Sequence, residues 1–231
     1  MKIRPILYST EMVLGILEER KNMTRRVMKP QPWECPEEPG EYWWDIPNSE
    51  FEAIYCNDPD NSAFLKHNPF GNVGDVLWVR ETFFKHDKNP GIFHYVADYE
   101  NPEAFDVTGW KKVSGRYMPK EAARLFLKIT DIRVQRLQNI TEEDSIREGV
   151  YYYGDETGDY YDYMYDNCDL DDIGMATARE SFKTLWQSIN NKLRRNPSCR
   201  KFYETVGEDS WELNPWVWVI SFDRCEKPEG F

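Results

Sequence analysis

Histidine and cysteine are scarce and scattered in this 231-residue chain, and long apolar runs are missing. The three histidines, His67, His86 and His94, stand at no zinc-ligand spacing, and no two of the five cysteines, Cys35, Cys56, Cys168, Cys199 and Cys225, form a C-x-x-C pair. No metal centre is expected from them, and an odd, dispersed set of thiols argues against a disulfide framework and for a reducing cytoplasm. No window approaches the roughly 18 consecutive apolar residues that a membrane span requires. The opening MKIRPILYSTEMVLGILEERK interrupts its apolar residues with Ser9, Thr10 and Glu11. A soluble, unexported protein with no membrane partner is therefore expected. A P-loop, a dinucleotide fingerprint and a G-x-S-x-G elbow are also lacking, so no cofactor is expected.

What is present is acid and aromatic surface. The chain holds 41 acidic and 29 basic residues, for a net charge of −12, with nine tryptophans, fourteen tyrosines and twelve phenylalanines. That supply suits a packed globular core, and the rings suit flat surfaces on which a base can stack. The negative charge is concentrated. Residues 155–172 hold eight acids interleaved with tyrosines, and no lysine or arginine occurs between Arg147 and Arg179. Repulsion there predicts an extended insertion, solvated or offered to a protein partner. A calcium loop is the weakest alternative, because DNCDLDD lacks the glycine and distal glutamate of an EF-hand.

The pattern along the chain predicts an α+β fold. Residues 3–8 read as a strand, and Thr10 is placed to cap a helix over 11–20. Prolines 30, 32, 36 and 39 open a long excursion over about 30–70, which Trp33, Trp43 and Trp44 are expected to pin down in part. Strands are expected over 75–83, 92–98 and 122–136, the last long and curved. Thr141 is expected to cap a helix that runs to Gly149, with Asp144 at the capping-box position. A helix over 176–192, with Phe182, Leu185, Trp186 and Ile189 on one face, and a buried strand over 215–223 complete the order. Short curved strands favour a small barrel with packed helices, in one domain spanning 1–231 with insertions at about 30–70 and 150–175.

Three groups carry candidate chemistry. The run RKNMTRRVMK at 20–29 has five cations and no acid. It is either a solvated basic helix end or an anion site in which a desolvated Lys21 takes a proton from the Thr24 hydroxyl. Arg25 and Arg26 then offer guanidinium groups to a phosphate or carbonyl oxygen; if the segment is extended, Thr24 and Arg26 share a face and Arg25 takes the other. Arg80 and Glu81 follow a buried strand, where they form either a strand-end ion pair or a grip on ligand. Residues 108–136 carry eight cations against Glu121 and Asp131, either as a solvated face or, with Trp110 and Tyr117, as a track for a nucleic-acid backbone.

The ordered segments Glu19-Arg20-Lys21-x-x-Thr24-x-Arg26, Gly74-Asp75-Val76-Leu77-Trp78-Val79-Arg80, Met118-Pro119, Ile140-Thr141-Glu142-Glu143-Asp144 and Trp216-Val217-Trp218-Val219-Ile220-Ser221-Phe222 resemble an ASCH domain of the PUA-like superfamily. The layout over about 3–223 is similar to the longer ASCH proteins of bacteriophages and prophages. The family signature G-x-K-x-x-x-x-R is matched at Lys21 and Arg26, with Glu19 where glycine is usual. The resemblance implies a PUA-like β-barrel with helices, and an RNA or modified-nucleotide partner in a bacterial or phage-infected cytoplasm. Small bacterial relatives hydrolyse N4-acetylcytidine with a lysine, a threonine and a glutamate. The matching positions here are Lys21, Thr24 and Glu148, the last otherwise a solvated residue in a helix's final turn. Candidate ligand contacts are Arg26, Arg80, Glu81 and Arg25. The implied activity is that of an amidohydrolase. The competing expectation is a noncatalytic phage accessory protein that binds a host or virion protein through its acidic, tyrosine-rich loop.

Overall fold

A computed structural model describes residues 1–34, 36–37, 41–44, 52–55, 62–89, 91–100, 108–154, 161–164, 175–193 and 210–231. The class is α+β, with strands predominating. In chain order the elements are β1 (Ile3–Leu7), α1 (Thr10–Leu17), β2 (Met23–Val27), β3 (Trp33–Glu34), β4 (Glu41–Trp44), β5 (Glu52–Tyr55), α2 (Ser62–Leu65), β6 (Val76–Arg80), β7 (Phe83–His86), β8 (Phe93–Tyr95), β9 (Trp110–Val113), β10 (Phe126–Arg136), α3 (Glu142–Arg147), β11 (Tyr151–Gly154), β12 (Tyr161–Met164), α4 (Ala178–Leu193) and β13 (Trp216–Cys225). Among the described residues no sheet closes on itself into a barrel, and no helix is long and apolar enough to cross a membrane.

The chain divides into two compact units. The first comprises Met1–Asn22, Pro69–Asp131 and Ser221–Phe231; the second comprises Met23–Asn68 and Ile132–Ile220. In the first, β1 runs parallel to β6, and β6 is antiparallel to the opening residues of β10, Phe126 facing Trp78. Val76, Trp78 and Phe126 form a core cluster closed by Ile3 and Phe231. A separate sheet in the order β8-β7-β9 packs Phe83 against Met118 and Ala122. The strand expected over 75–83 is two strands, because the Glu81 side chain turns inward and the chain re-pairs from Phe83 onward. Gly115 allows that break to be covered: a Cβ there would lie 2.8 Å from the Glu81 carbonyl carbon. The strand expected over 92–98 is β8 followed by a 3-10 turn at Val96–Asp98.

In the second unit, Met28 N–H donates to the Trp216 carbonyl at 3.0 Å, next to β2, and Leu137 N–H donates to Pro215 at 2.9 Å, next to β10. Strand β10 shifts its in-out alternation at Thr130–Asp131, both exposed, before Ile132 turns inward. The 30–70 excursion contains a small sheet in the order β3-β4-β5, in which Trp33 faces Trp43. Of the tryptophans expected to pin it down, only Trp33 has a described side chain. Tyr42 meets Trp216 edge-on at 5.3 Å and Phe64 is fully buried, whereas Trp33 is 47% exposed. Helix α4 buries Phe182, Leu185 and Trp186, but Ile189 is exposed. Within the expected 150–175 insertion, β11 and β12 pair as an antiparallel hairpin from Tyr151 facing Met164 to Gly154 facing Tyr161. The rest of the expected 155–172 loop lies outside the described residues.

Candidate functional site

The turn that ends α1 determines where Lys21 goes. Ser9, rather than Thr10, caps the helix start, accepting the Met12 N–H at 3.4 Å. At the other end Glu19 N–H donates to Ile16 at 3.2 Å and Lys21 N–H to Gly15 at 2.9 Å. This reversal needs a left-handed residue after the helix, ordinarily glycine, and Glu19 supplies it with φ of 61°. Glu19 therefore adopts the backbone that a glycine ordinarily takes at such a helix end. Gly15 admits the returning chain, since a Cβ on it would lie 3.3 Å from Lys21 Cβ.

Lys21 emerges 2% exposed, with its Nζ 6.0 Å from the centre of the Tyr8 ring. Its neighbour Arg20 is half-buried at the helix end and bonded to Glu18 at 2.7 Å. A hollow of about 250 Å³ adjoins Lys21, with Glu19, Asn22, Asp223 and Arg224 as its other polar walls. All of these residues belong to the first unit.

In the second unit β2 is extended, and successive side chains alternate between its faces. Thr24 is buried and Arg26 half-buried. Arg25, also buried, donates from Nη1 to Glu148 at 3.1 Å and to the Met23 sulfur at 3.3 Å, while Nη2 pairs with Asp144. Asp144 also accepts Arg133 at 2.9 Å. The Phe182 ring centre lies 5.9 Å from the Arg25 guanidinium. Glu148 is the C-terminal cap of α3, 3% exposed, and Gly149 beyond it takes φ of 108°. Thr141 caps α3 as expected, accepting the Asp144 N–H at 3.1 Å. The Asp144 carboxylate, read from sequence as half of a capping box, serves two guanidinium groups.

Arg80 and Glu81, in the first unit, do not pair with each other. Arg80 Nε donates to the Gly115 carbonyl at 3.1 Å. Glu81, 1% exposed, accepts Arg124 Nε and Nη2 at 2.9 and 3.0 Å, and Arg124 Nη1 reaches Asp98 at 2.6 Å. Burial pushes the Glu81 carboxyl above its usual range while Arg124 pulls the other way. Burial pulls Arg124 down, but its bonds to Glu81 and Asp98 outweigh that and raise it.

Among the expected residues, then, Arg25 and Glu148 are joined directly, Lys21 lines a hollow, and Glu81 is held in a buried ion pair. Sequence reasoning missed Asp144, Arg133, Arg124 and Asp98 as partners, because nothing local marks a contact between residues so far apart in the chain. Among the described residues no cluster of histidine, cysteine or carboxylate side chains could hold a metal ion. In comparison with known proteins, the chain matches no family model, and no significant match is found among curated proteins or solved structures.

Proposed function

We propose that this protein binds a nucleotide, free or within RNA, around Lys21, and that it hydrolyses an N4-acylated cytidine there. The observation that carries the reading is the burial of Lys21 beside a hollow of about 250 Å³ with polar walls. An ammonium group withdrawn from water loses strong hydration, and lysines so placed recur as bases and as holders of electron-rich ligands. The reading includes a PUA-like arrangement of strands, supported by the eleven-residue β10 and its change of alternation.

In the proposed reaction Thr24 Oγ attacks the acyl carbonyl carbon while Lys21 Nζ takes the hydroxyl proton. The C–N4 bond breaks, and the proton passes from Nζ to the departing N4 amine. Water then hydrolyses the acyl-threonine ester, releasing the carboxylic acid and restoring the hydroxyl. These roles follow the resemblance and the spacing of the residues in the chain. Glu148, held by Arg25 at 3.1 Å, is proposed as a positioning group, since a carboxylate engaged by a guanidinium acts as an acceptor. Arg25 acts on it indirectly. Arg26 and Arg80 are the proposed ligand contacts.

The test is incubation of purified protein with N4-acetylcytidine, followed by chromatographic quantification of cytidine. Wild type should release cytidine, and Lys21→Ala should be slower by about 10²-fold or more. Equal rates for the two proteins would remove Lys21 from the mechanism.

A further inference from the structure

The sheet β8-β7-β9 presents one face on which Phe83 and Lys85 of β7 lie between Tyr95 and Phe93 of β8 and Val113 and Lys111 of β9. A cleft of about 770 Å³ opens on this face, lined by Lys85, Lys111, Lys112, Phe93 and Tyr117, with Asp87 as its one acid. All of it lies within the first unit. We infer that this cleft binds a single-stranded polynucleotide, with a base on the ring of Tyr117 and phosphates on Lys85 and Lys111 of this face and on Lys112, which lines the cleft although its register opposite Phe84 puts it on the other pleat of β9. The inference extends the nucleotide-binding reading to a second place and does not depend on the chemistry proposed at Lys21.

Placement of the lysines is the first argument. Lys85 and Lys111 are direct cross-strand neighbours, and like charges facing each other across a pair weaken a sheet. Lysines on an edge strand protect it against unwanted strand pairing, which would account for Lys111 and Lys112 on β9. It does not account for Lys85, because β7 is the central strand. Nor does a neighbouring acid neutralise the group: all three lysines are exposed, and among the described residues none has an ion-pair partner. A polyanion laid across the face relieves the repulsion.

The second argument is the aromatic platform. Tyr117 is 73% exposed at the end of a 3-10 turn. Its backbone is nevertheless fixed: Tyr117 N–H donates to Ser114 at 2.9 Å, Met118 N–H donates to Gly115 at 3.1 Å, and the Met118 side chain is buried. An exposed ring on a held backbone is a stacking surface that accepts any base. The lysine ammonium groups give point-charge contact to a phosphodiester, and a base stacked on the Tyr117 ring adds a contact that an acidic side chain lacks. This chemistry favours a nucleic-acid strand over an acidic peptide.

The experiment is a fluorescence-anisotropy titration of a labelled oligouridylate 12-mer, ~12 nucleotides being within the usual span of such sites, at several salt concentrations. Three phosphate contacts predict that log K falls with log salt with a slope of about −2. Lys85→Ala/Lys111→Ala/Lys112→Ala should bind about tenfold or more weakly at low salt, with the slope flattened toward zero. Tyr117→Ala should lose about fivefold or more with the slope retained. A charge-matched control, Lys66→Ala/Lys183→Ala/Lys227→Ala, should bind like wild type. The inference is overturned if the cleft variant keeps wild-type affinity and slope, if the control weakens binding equally, if polyglutamate competes as well as the oligonucleotide, or if the 12-mer does not bind. An unmodified oligouridylate has no acyl group, so these outcomes are read separately from nucleoside hydrolysis.

Discussion

The stretches 20–29 and 108–136 look alike as sequence, each dense in cations, yet they place those cations differently. In 108–136 three of the four arginines are half-buried against partners, while Arg116 and the lysines stay out. Arg124 bonds to Glu81 and Asp98, Arg133 bonds to Asp144, and Arg136 lies 4.4 Å over the Trp216 ring, whereas Lys111, Lys112, Lys120 and Lys128 are exposed. The physical reason is hydration: a planar guanidinium gives up water more readily than an ammonium and brings several fixed donors to an acceptor. In 20–29 Arg25 and Lys29 follow the same rule, one buried and paired, the other exposed. Lys21 breaks it, as the one lysine in the buried class among the described residues. The comparison therefore separates lysines that stay in water from the one that, among the described residues, is carried inward.

The most severe way to break the comparison is Arg25→Ala. It leaves the buried Glu148 and the half-buried Asp144 without their shared guanidinium, and removing one member of a buried ion pair typically costs about 3–5 kcal/mol. Urea denaturation should show a loss of that size. A loss below about 1 kcal/mol, the range of exposed pairs, would mean that water reaches the cluster and that the inward-arginine rule is a surface effect.

Arg124 provides a second test through pH. Because burial raises the Glu81 carboxyl above the ordinary glutamate value of about 4.5, the folded state binds this proton more tightly than the unfolded chain does. Glu81 then contributes its full stability below pH about 4.5 and loses it as pH rises through the raised value. The stability of wild type relative to Glu81→Gln should accordingly fall with rising pH over that window, no more steeply than about 1.4 kcal/mol per pH unit for one proton. A relative stability that rises with pH would show that the Arg124 bonds outweigh burial.

What could be read in the sequence follows the range of the interactions involved. Strand β13 was legible from PWVWVISFD, and α4 from Phe182, Leu185 and Trp186, because burial on both faces of a strand or on one stripe of a helix writes itself into adjacent positions. Two of the three α3 features were equally local: the Thr141 cap and the glycine at 149. The acid–base pairings were not. Arg25 and Glu148 are 123 residues apart and Arg124 and Glu81 are 43 apart, so the neighbouring Arg80–Glu81 pair looked plausible until the turn of Glu81 inward was known. Strands β3, β4 and β5 were hidden for another reason, since strands of two to four residues are too short to establish a period against loop-forming neighbours. A single lysine such as Lys85 carries no local signal of a site, and only the pairing of β7 with β8 and β9 shows that it shares a face with Phe83.

The smallest expected effect tests the turn that delivers Lys21. Glu19 is exposed and holds φ of 61°, a conformation that costs a residue with a Cβ about 1–2 kcal/mol and costs glycine almost nothing. Glu19→Gly relieves that strain but loosens the unfolded chain, while Glu19→Ala keeps the strain and removes the same carboxylate from beside the hollow. The glycine variant should therefore be more stable than the alanine variant by about 1 kcal/mol, measured by urea denaturation. Both variants lack the carboxylate, so the difference between them reports backbone geometry alone. Equal stabilities would place residue 19 outside the left-handed region and would remove the tight turn as the reason a lysine is carried inward here, when the lysines of 108–136 remain in water.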